Sequence, residues 1–297
     1  MKKNYFASMT FKEEAAAYTF LLPWIIGMLV FFAYPFITSL VLAFTNSRLM
    51  GGSFNGLDNF VRMFTRDRNF IKSLQVTTQY ALVGVPLKLA FALLLALILK
   101  KGATFYRTAY YIPSLIGSSV AVAIMWKQLF AKEGIVSQFA GLFGITPKAW
   151  LGEPAYALNI LIILAVWQFG SSMVIFIAGL KNIPNELYEA AKIDGAGPLR
   201  CFGAITLPML SSVIQFNLVL QLIGGFQAFT QGYVITHGGP INETLFTVQH
   251  IYMEVFNGGM RIGYSSAMSW VLFLLIAGIT GIVFATSKFW VFYANEG

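Results

Sequence analysis

The chain has 297 residues, 57 % of them hydrophobic and only 11 % charged, with a mean hydropathy of +0.70 and a net charge of +8. Ordinary soluble domains carry about 25 % charged residues, so a soluble enzyme is excluded and lipid is the solvent that suits this surface. The basic excess lies in short loops beside apolar runs, where it anchors at lipid headgroups; it does not point to nucleic acid.

Runs free of Asp, Glu, Lys and Arg cover residues 15–47, 108–126, 154–180, 201–242 and 262–287, and a sixth, 73–99, is interrupted only by Lys88. About 20 apolar residues cross a bilayer as a helix, and lipid forces each backbone to satisfy its own hydrogen bonds. The runs predict an all-α membrane protein with six transmembrane helices, at about 17–45, 74–99, 108–130, 156–180, 208–234 and 264–287. No internal repeat or linker separates them, so residues 1–297 read as one membrane domain. The first run continues past Pro35 without a small-residue cleavage site and reads as a retained span. An even number of spans puts both termini on one side, but the loops on the two sides carry ten and nine Lys and Arg. That balance leaves the orientation open.

Between the first two spans, residues 58–72 interleave charges with Phe60, Phe64 and Phe70, as a helix lying on a membrane surface would. Lys88 is a cation deep in the second span, which costs roughly 2.5–3.5 kcal/mol on insertion scales. It either snorkels or pairs with helix-end carbonyls, or it faces a pathway and favours an acidic sugar.

The loop 181–207 predicts a short helix outside the membrane. Pro184 suits its first turn, Glu186 and Glu189 suit the positive end of its dipole, and Gly195 suits a left-handed stop. Leu187, Ala190 and Ala191 share one face. An ordinary interfacial helix between two spans would have the same features.

In the fifth span Asn217, Gln221, Gly224, Gly225 and Ala228 form one small, polar stripe. The fourth span repeats it more weakly with Gln168, Ser171, Ser172 and Gly179, beside Trp167. Intramembrane polar side chains face a bundle interior or a water-filled cavity, and amides donate to and accept from sugar hydroxyls. Helix–helix packing uses the same residue types. His237 and His250 read as solvated loop histidines, and Cys201 is the lone cysteine. No metal-ligand cluster, nucleophile set, intramembrane carboxylate pair or phosphate-cradling Gly-Lys-Ser/Thr loop is present. The chain is therefore not read as an enzyme, and ATP hydrolysis is not expected of it.

Glu189-Ala190-Ala191, then Gly195, then nine intervening residues and Ile205-Thr206-Leu207-Pro208, resembles the EAA motif of permease subunits in ATP-driven, binding-protein-dependent importers. Ile193-Asp194-Gly195-Ala196 is similar to the sugar-importing branch. So are Gly238-Gly239-Pro240 with Thr244 and Tyr252, and Gly263-Tyr264-Ser265-Ser266-Ala267. The resemblance runs from about Leu21 onward and is strongest to MalF-like subunits of carbohydrate permeases. Unlike MalF of the maltose importer, this chain has no large outer insertion and no extra N-terminal spans.

The resemblance implies a type I ABC importer permease fold in which loop 181–207 holds a cytoplasmic coupling helix. Leu187, Tyr188, Glu189, Ala190, Ala191, Asp194 and Gly195 would then couple to the ATPase. Both termini would be cytoplasmic, in a bacterial cytoplasmic membrane. Implied partners are a second homologous permease, two ATPase subunits that hold ATP and Mg, an extracytoplasmic solute-binding protein and a sugar, with no cofactor on this chain. Trp167, Gln168, Ser171, Gln221 and Gly225 match positions that line the family's sugar cavity. With Asn217, Gly224 and Lys88 they form the expected substrate pathway. A secondary carrier or channel would show intramembrane carboxylates or a repeat; an ABC importer of phosphate esters or polyamines would share most other features.

Overall fold

The computed structural model describes residues 3–48, 51–100, 104–117, 119–146 and 148–292. Lys2 and Lys101 of the loop-charge comparison lie outside them. Helices dominate the described residues, with only two isolated β-bridges, Thr45 to Phe54 and Arg48 to Gly51.

Four stretches are long and apolar enough to cross a membrane, Ala16–Ala43, Arg68–Leu99, Pro198–Thr236 and Ile262–Ser287. Two bent pairs bring the number to six when each counts as one span: Phe105–Ile116 with Val120–Leu129, at 96°, and Pro154–Trp167 with Gly170–Lys181, at 43°. The third and fourth spans are thus each a bent pair of helices, where the sequence reads one span apiece.

The chain divides into two compact units, residues 1–61 with 254–270, and residues 62–253 with 271–297. In the first, α1 (Lys3–Met28), a π-helical turn (Leu29–Ala33) and α2 (Tyr34–Ala43) follow without a break. Phe20, Trp24, Phe31 and Phe32 are all more than half exposed, as on a helix whose solvent is lipid. The turn after α2 is held by the Asn59 amide, which donates to the carbonyls of Ala43 and Thr45, both at 2.8 Å. Gly263 donates its N–H to the Ser47 carbonyl at 3.0 Å. The Trp270 indole donates to the Ser39 hydroxyl at 3.1 Å and lies 4.7 Å from the Phe36 ring.

The amphipathic stretch forms α3 (Asp58–Thr65), shorter than expected, and α4 (Arg68–Leu99) starts ahead of residue 74. The cause is a cap: the Asp67 carboxylate accepts from the Phe70 N–H at 2.9 Å. Phe70 is buried, edge-on to Phe64.

In the second unit α4 packs against α8 (Pro154–Trp167), α9 (Gly170–Lys181) and α12 (Leu207–Phe226). Ala81, Val85, Leu89, Ala92 and Ala96 make its inner stripe, against Met173, Phe176 and Leu180 of α9 and Leu210, Leu222 and Phe226 of α12. Alanines on that stripe let backbones approach, which is how helices associate where lipid removes the hydrophobic drive. A second cluster joins Tyr80, Leu161, Leu164 and Phe246 with Val122 and Trp126 of α6 (Val120–Leu129), the helix between α5 (Thr104–Ile116) and α7 (Ile135–Leu142).

After α12 the chain breaks at residues 227–229 and resumes as a π-helical segment, Gln231–Thr236, leading to α13 (Thr247–Phe256) and α14 (Ile262–Ser287). Thr247 donates its N–H to the Thr77 hydroxyl at 2.8 Å, and Lys72 pairs with Glu243 at 2.6 Å. His250 is not a solvated loop residue: it is 6 % exposed, with Nε2 3.1 Å from the Asp67 carboxylate. The carboxylate that caps α4 is within reach of this ring, a juxtaposition absent from the linear sequence. His237 is exposed, as expected.

Candidate pathway cavity and coupling helix

Two interrupted spans meet at one point. Gln168 ends α8, and its side-chain amide donates to the Gly117 carbonyl at 2.9 Å, where α5 stops. A Cβ on Gly117 would collide with Gln168 and with the Pro113 carbonyl, so only glycine admits this approach. Ser119 then starts α6 by accepting from the Val122 N–H. Irregular backbone at membrane depth persists only where it is buried in protein or lines a cavity, and Gln168 meets both conditions.

Beside this crossing lies a cavity of about 180 Å³, lined by Lys88, Gln168, Gln221, Gly224, Gly225 and Gln231 among others. The ammonium of Lys88 donates to the Gln221 carbonyl oxygen at 2.8 Å, joining α4 to α12. Neither snorkelling nor helix-end carbonyls describe this cation; it faces the cavity. The lining contains three amides and one cation but no carboxylate.

Five of the expected pathway residues therefore come together: Lys88, Gln168, Gln221, Gly224 and Gly225. Three do not. Asn217 is fully buried and donates to the Ser172 carbonyl at 3.2 Å, a tie between α12 and α9. Trp167 packs 5.9 Å from Trp126, and Ser171 is half-buried in the first turn of α9, outside the lining. Tyr80 and Gln231 line the cavity unforeseen. Gln231 lies in the same charge-free run as Gln221, but the stripe's period does not carry through the break at residues 227–229.

The loop 181–207 forms α10 (Asn185–Ile193) and the short α11 (Pro198–Cys201); α10 starts one residue after Pro184, which stays extended at φ −57°, ψ 134°. Gly195 takes φ +74°. The Ala196 N–H donates to Ala191 at 2.8 Å and the Gly195 N–H to Lys192 at 3.0 Å, which is a Schellman ending. Glu189, Ala190 and Asp194 are exposed, Ala191 is half-buried, and the apolar Leu187, Ile193 and Leu199 are 41, 87 and 88 % exposed. Tyr188 faces the other way. It packs on the core, its hydroxyl lies 3.0 Å from that of Thr206, and the Lys100 ammonium sits 5.1 Å above its ring.

Residues 88–294 match the family model for "Binding-protein-dependent transport system inner membrane component". The chain is 47 % identical to the probable ABC transporter permease protein YesP of Bacillus subtilis, across 96 % of this chain and 94 % of that one. It is 34 % identical to the lactose transport system permease protein LacF of Rhizobium radiobacter, across 93 % and 95 %. It is 30 % identical to the trehalose/maltose transport system permease protein MalF of Thermococcus litoralis, across 97 % and 99 %. Among solved structures, a chain of a bacterial alginate ABC transporter in complex with an alginate-bound periplasmic protein superposes with a TM-score of 0.79, at 22 % identity across 94 % of this chain and 96 % of that one. That likeness is one of fold.

Proposed function

Because this chain belongs to the family of binding-protein-dependent transport system inner membrane components, we propose that it is one half of the translocation pathway of an ATP-driven sugar importer. Family membership makes it an integral, non-catalytic membrane component of an ABC importer. The observation that carries the sugar reading is the amide-lined cavity where the broken spans meet. Gln168, Gln221 and Gln231 offer both donors and acceptors, the requirement of a hydroxyl-rich solute in an apolar surround. The names of the relatives, permeases for lactose and for trehalose and maltose, support the same substrate class.

In this reading residues 1–297 act as one transmembrane domain, paired with a second, homologous permease and two ATPase subunits that bind ATP and Mg. The loop 181–207 and both termini face the cytoplasm. A solute-binding protein delivers sugar at the opposite face, and ATP-driven closure of the ATPases re-orients the spans through α10. Leu187, Glu189, Ala190, Ala191, Asp194 and Gly195 form the docking element, and Tyr188 fastens it to the spans. The exposed Leu187, Ile193 and Leu199 support that role, since three large apolar side chains beside a polar helix mark a surface that another protein covers.

Gln221→Leu in the reconstituted complex tests the pathway. The variant is expected to assemble with its partners and to lose sugar uptake by an order of magnitude. Normal uptake would remove Gln221 from the pathway.

A further inference from the structure

We propose that the cavity takes an anionic sugar, whose negative group pairs with the Lys88 ammonium; this rests on the sugar-pathway reading above. The argument begins with the charge of the lining. Among the residues around the cavity Lys88 is a cation and none is a carboxylate, and no salt bridge to Lys88 is formed among the described residues. An ammonium has three donors. One is spent on the Gln221 carbonyl oxygen at 2.8 Å, leaving two for whatever enters.

A neutral sugar gains little from such a group. Its hydroxyls would be served equally well by a fourth amide, without the penalty of holding a charge at membrane depth. An anion gains a charge-assisted hydrogen bond, about twice as strong as a neutral one, in a surround that screens little. Gln221 accepts from Lys88 with the same kind of oxygen that a carboxylate or phosphate carries, so an entering anion takes the two remaining donors beside it, while the Gln221 N–H groups serve a neighbouring hydroxyl. The flanking Gly224 has nothing within 4 Å of where its Cβ would stand, so the α12 face beside Gln221 is open. Uronate carboxylates and sugar phosphates share this chemistry.

The complete complex, with its own binding protein, tests this in proteoliposomes. Uptake is measured for galacturonate, glucuronate and mannuronate trimers, for the matched galactose, glucose and mannose trimers, and for hexose phosphates. Because every variant shares one binding protein, the preference of that protein cancels when ratios are compared. The wild-type complex is expected to favour at least one anionic sugar over its neutral counterpart. Lys88→Met is expected to lower that ratio at least tenfold, and Lys88→Arg to restore most of it. The uronate and phosphate arms identify which anion is meant.

A Lys88 that merely ties α4 to α12 would lower uptake of charged and neutral sugars alike. An unchanged ratio in Lys88→Met, or a wild-type complex that prefers neutral trimers, overturns the inference and leaves the sugar pathway standing. A complex that moves no sugar of either kind overturns both.

Discussion

The side-chain amide of Gln168 reaches the Gly117 carbonyl at 2.9 Å and so joins the breaks of two separate spans. Neither break is a defect of packing. Each releases backbone groups that lipid cannot satisfy, and Gln168 answers one of them while also lining the cavity. Discontinuous helices at membrane depth are a recurrent way of building a solute site, and here one residue both ties the broken spans and lines the cavity.

Gln168→Leu should therefore lower stability and transport together. Leaving a buried carbonyl unpaired costs roughly 1–3 kcal/mol, visible as a lower midpoint of thermal unfolding in nanodiscs. A Leu variant as stable as the parent would show that Gly117 finds another donor.

Two glycines separate packing from pathway. A Cβ at Gly170 would stand 2.7 Å from the Tyr110 carbonyl and 2.8 Å from Tyr111 Cα, both backbone atoms of α5. Gly170→Ala should cost about 1–3 kcal/mol through overpacking and reduce the yield of assembled complex. A Cβ at Gly224 meets nothing within 4 Å, so Gly224→Ala should assemble normally and change the substrate KM instead. Equal effects of the two on assembly would contradict the distinction.

Asn217 offers a contrast with Gln221 one helical turn away. Its amide donates to the Ser172 carbonyl across the α9–α12 contact. Asn217→Ala should destabilise the complex by roughly 1–3 kcal/mol with uptake per assembled complex preserved. If transport fell while unfolding was unaltered, Asn217 would belong to the pathway after all.

Coupling can be probed from the two sides of α10. Gly195 holds φ +74° in open space, so Gly195→Asp carries only the backbone strain of a left-handed residue, of the order of 1 kcal/mol, plus a charge beside Asp194. It should reduce sugar-stimulated ATPase activity and retention of the ATPase on purification. Tyr188→Phe removes the hydroxyl facing Thr206 and should weaken coupling without loosening ATPase binding, because the ring still packs inward. Unchanged stimulation in both variants would argue against α10 as the coupling element.

Hydropathy made the six crossings legible, because a charge-free run of sufficient length has few other solutions in lipid. The left-handed stop at Gly195 was legible too, since local backbone chemistry decides it. The breaks inside the third and fourth spans were not, because Gly117 and Gln168 look innocuous in sequence and are explained only by each other. His250 escaped for the same reason: the Asp67 that faces it is 183 residues away. The polar stripe of the fifth span was visible as a period, but a period cannot say which members face a cavity and which face a helix.

From the chain alone came whatever depends on neighbours in sequence: the crossings, the short helix with its ending, the motif around Glu189 and Gly195, and the oddity of a lysine within a span. Only the tertiary structure brought Lys88 to Gln221, put Gln168 between two broken spans and tied Asn217 to the Ser172 carbonyl. Apolar length and backbone conformation are local properties, whereas the environment of a polar side chain in lipid is set by whichever helix happens to lie across from it.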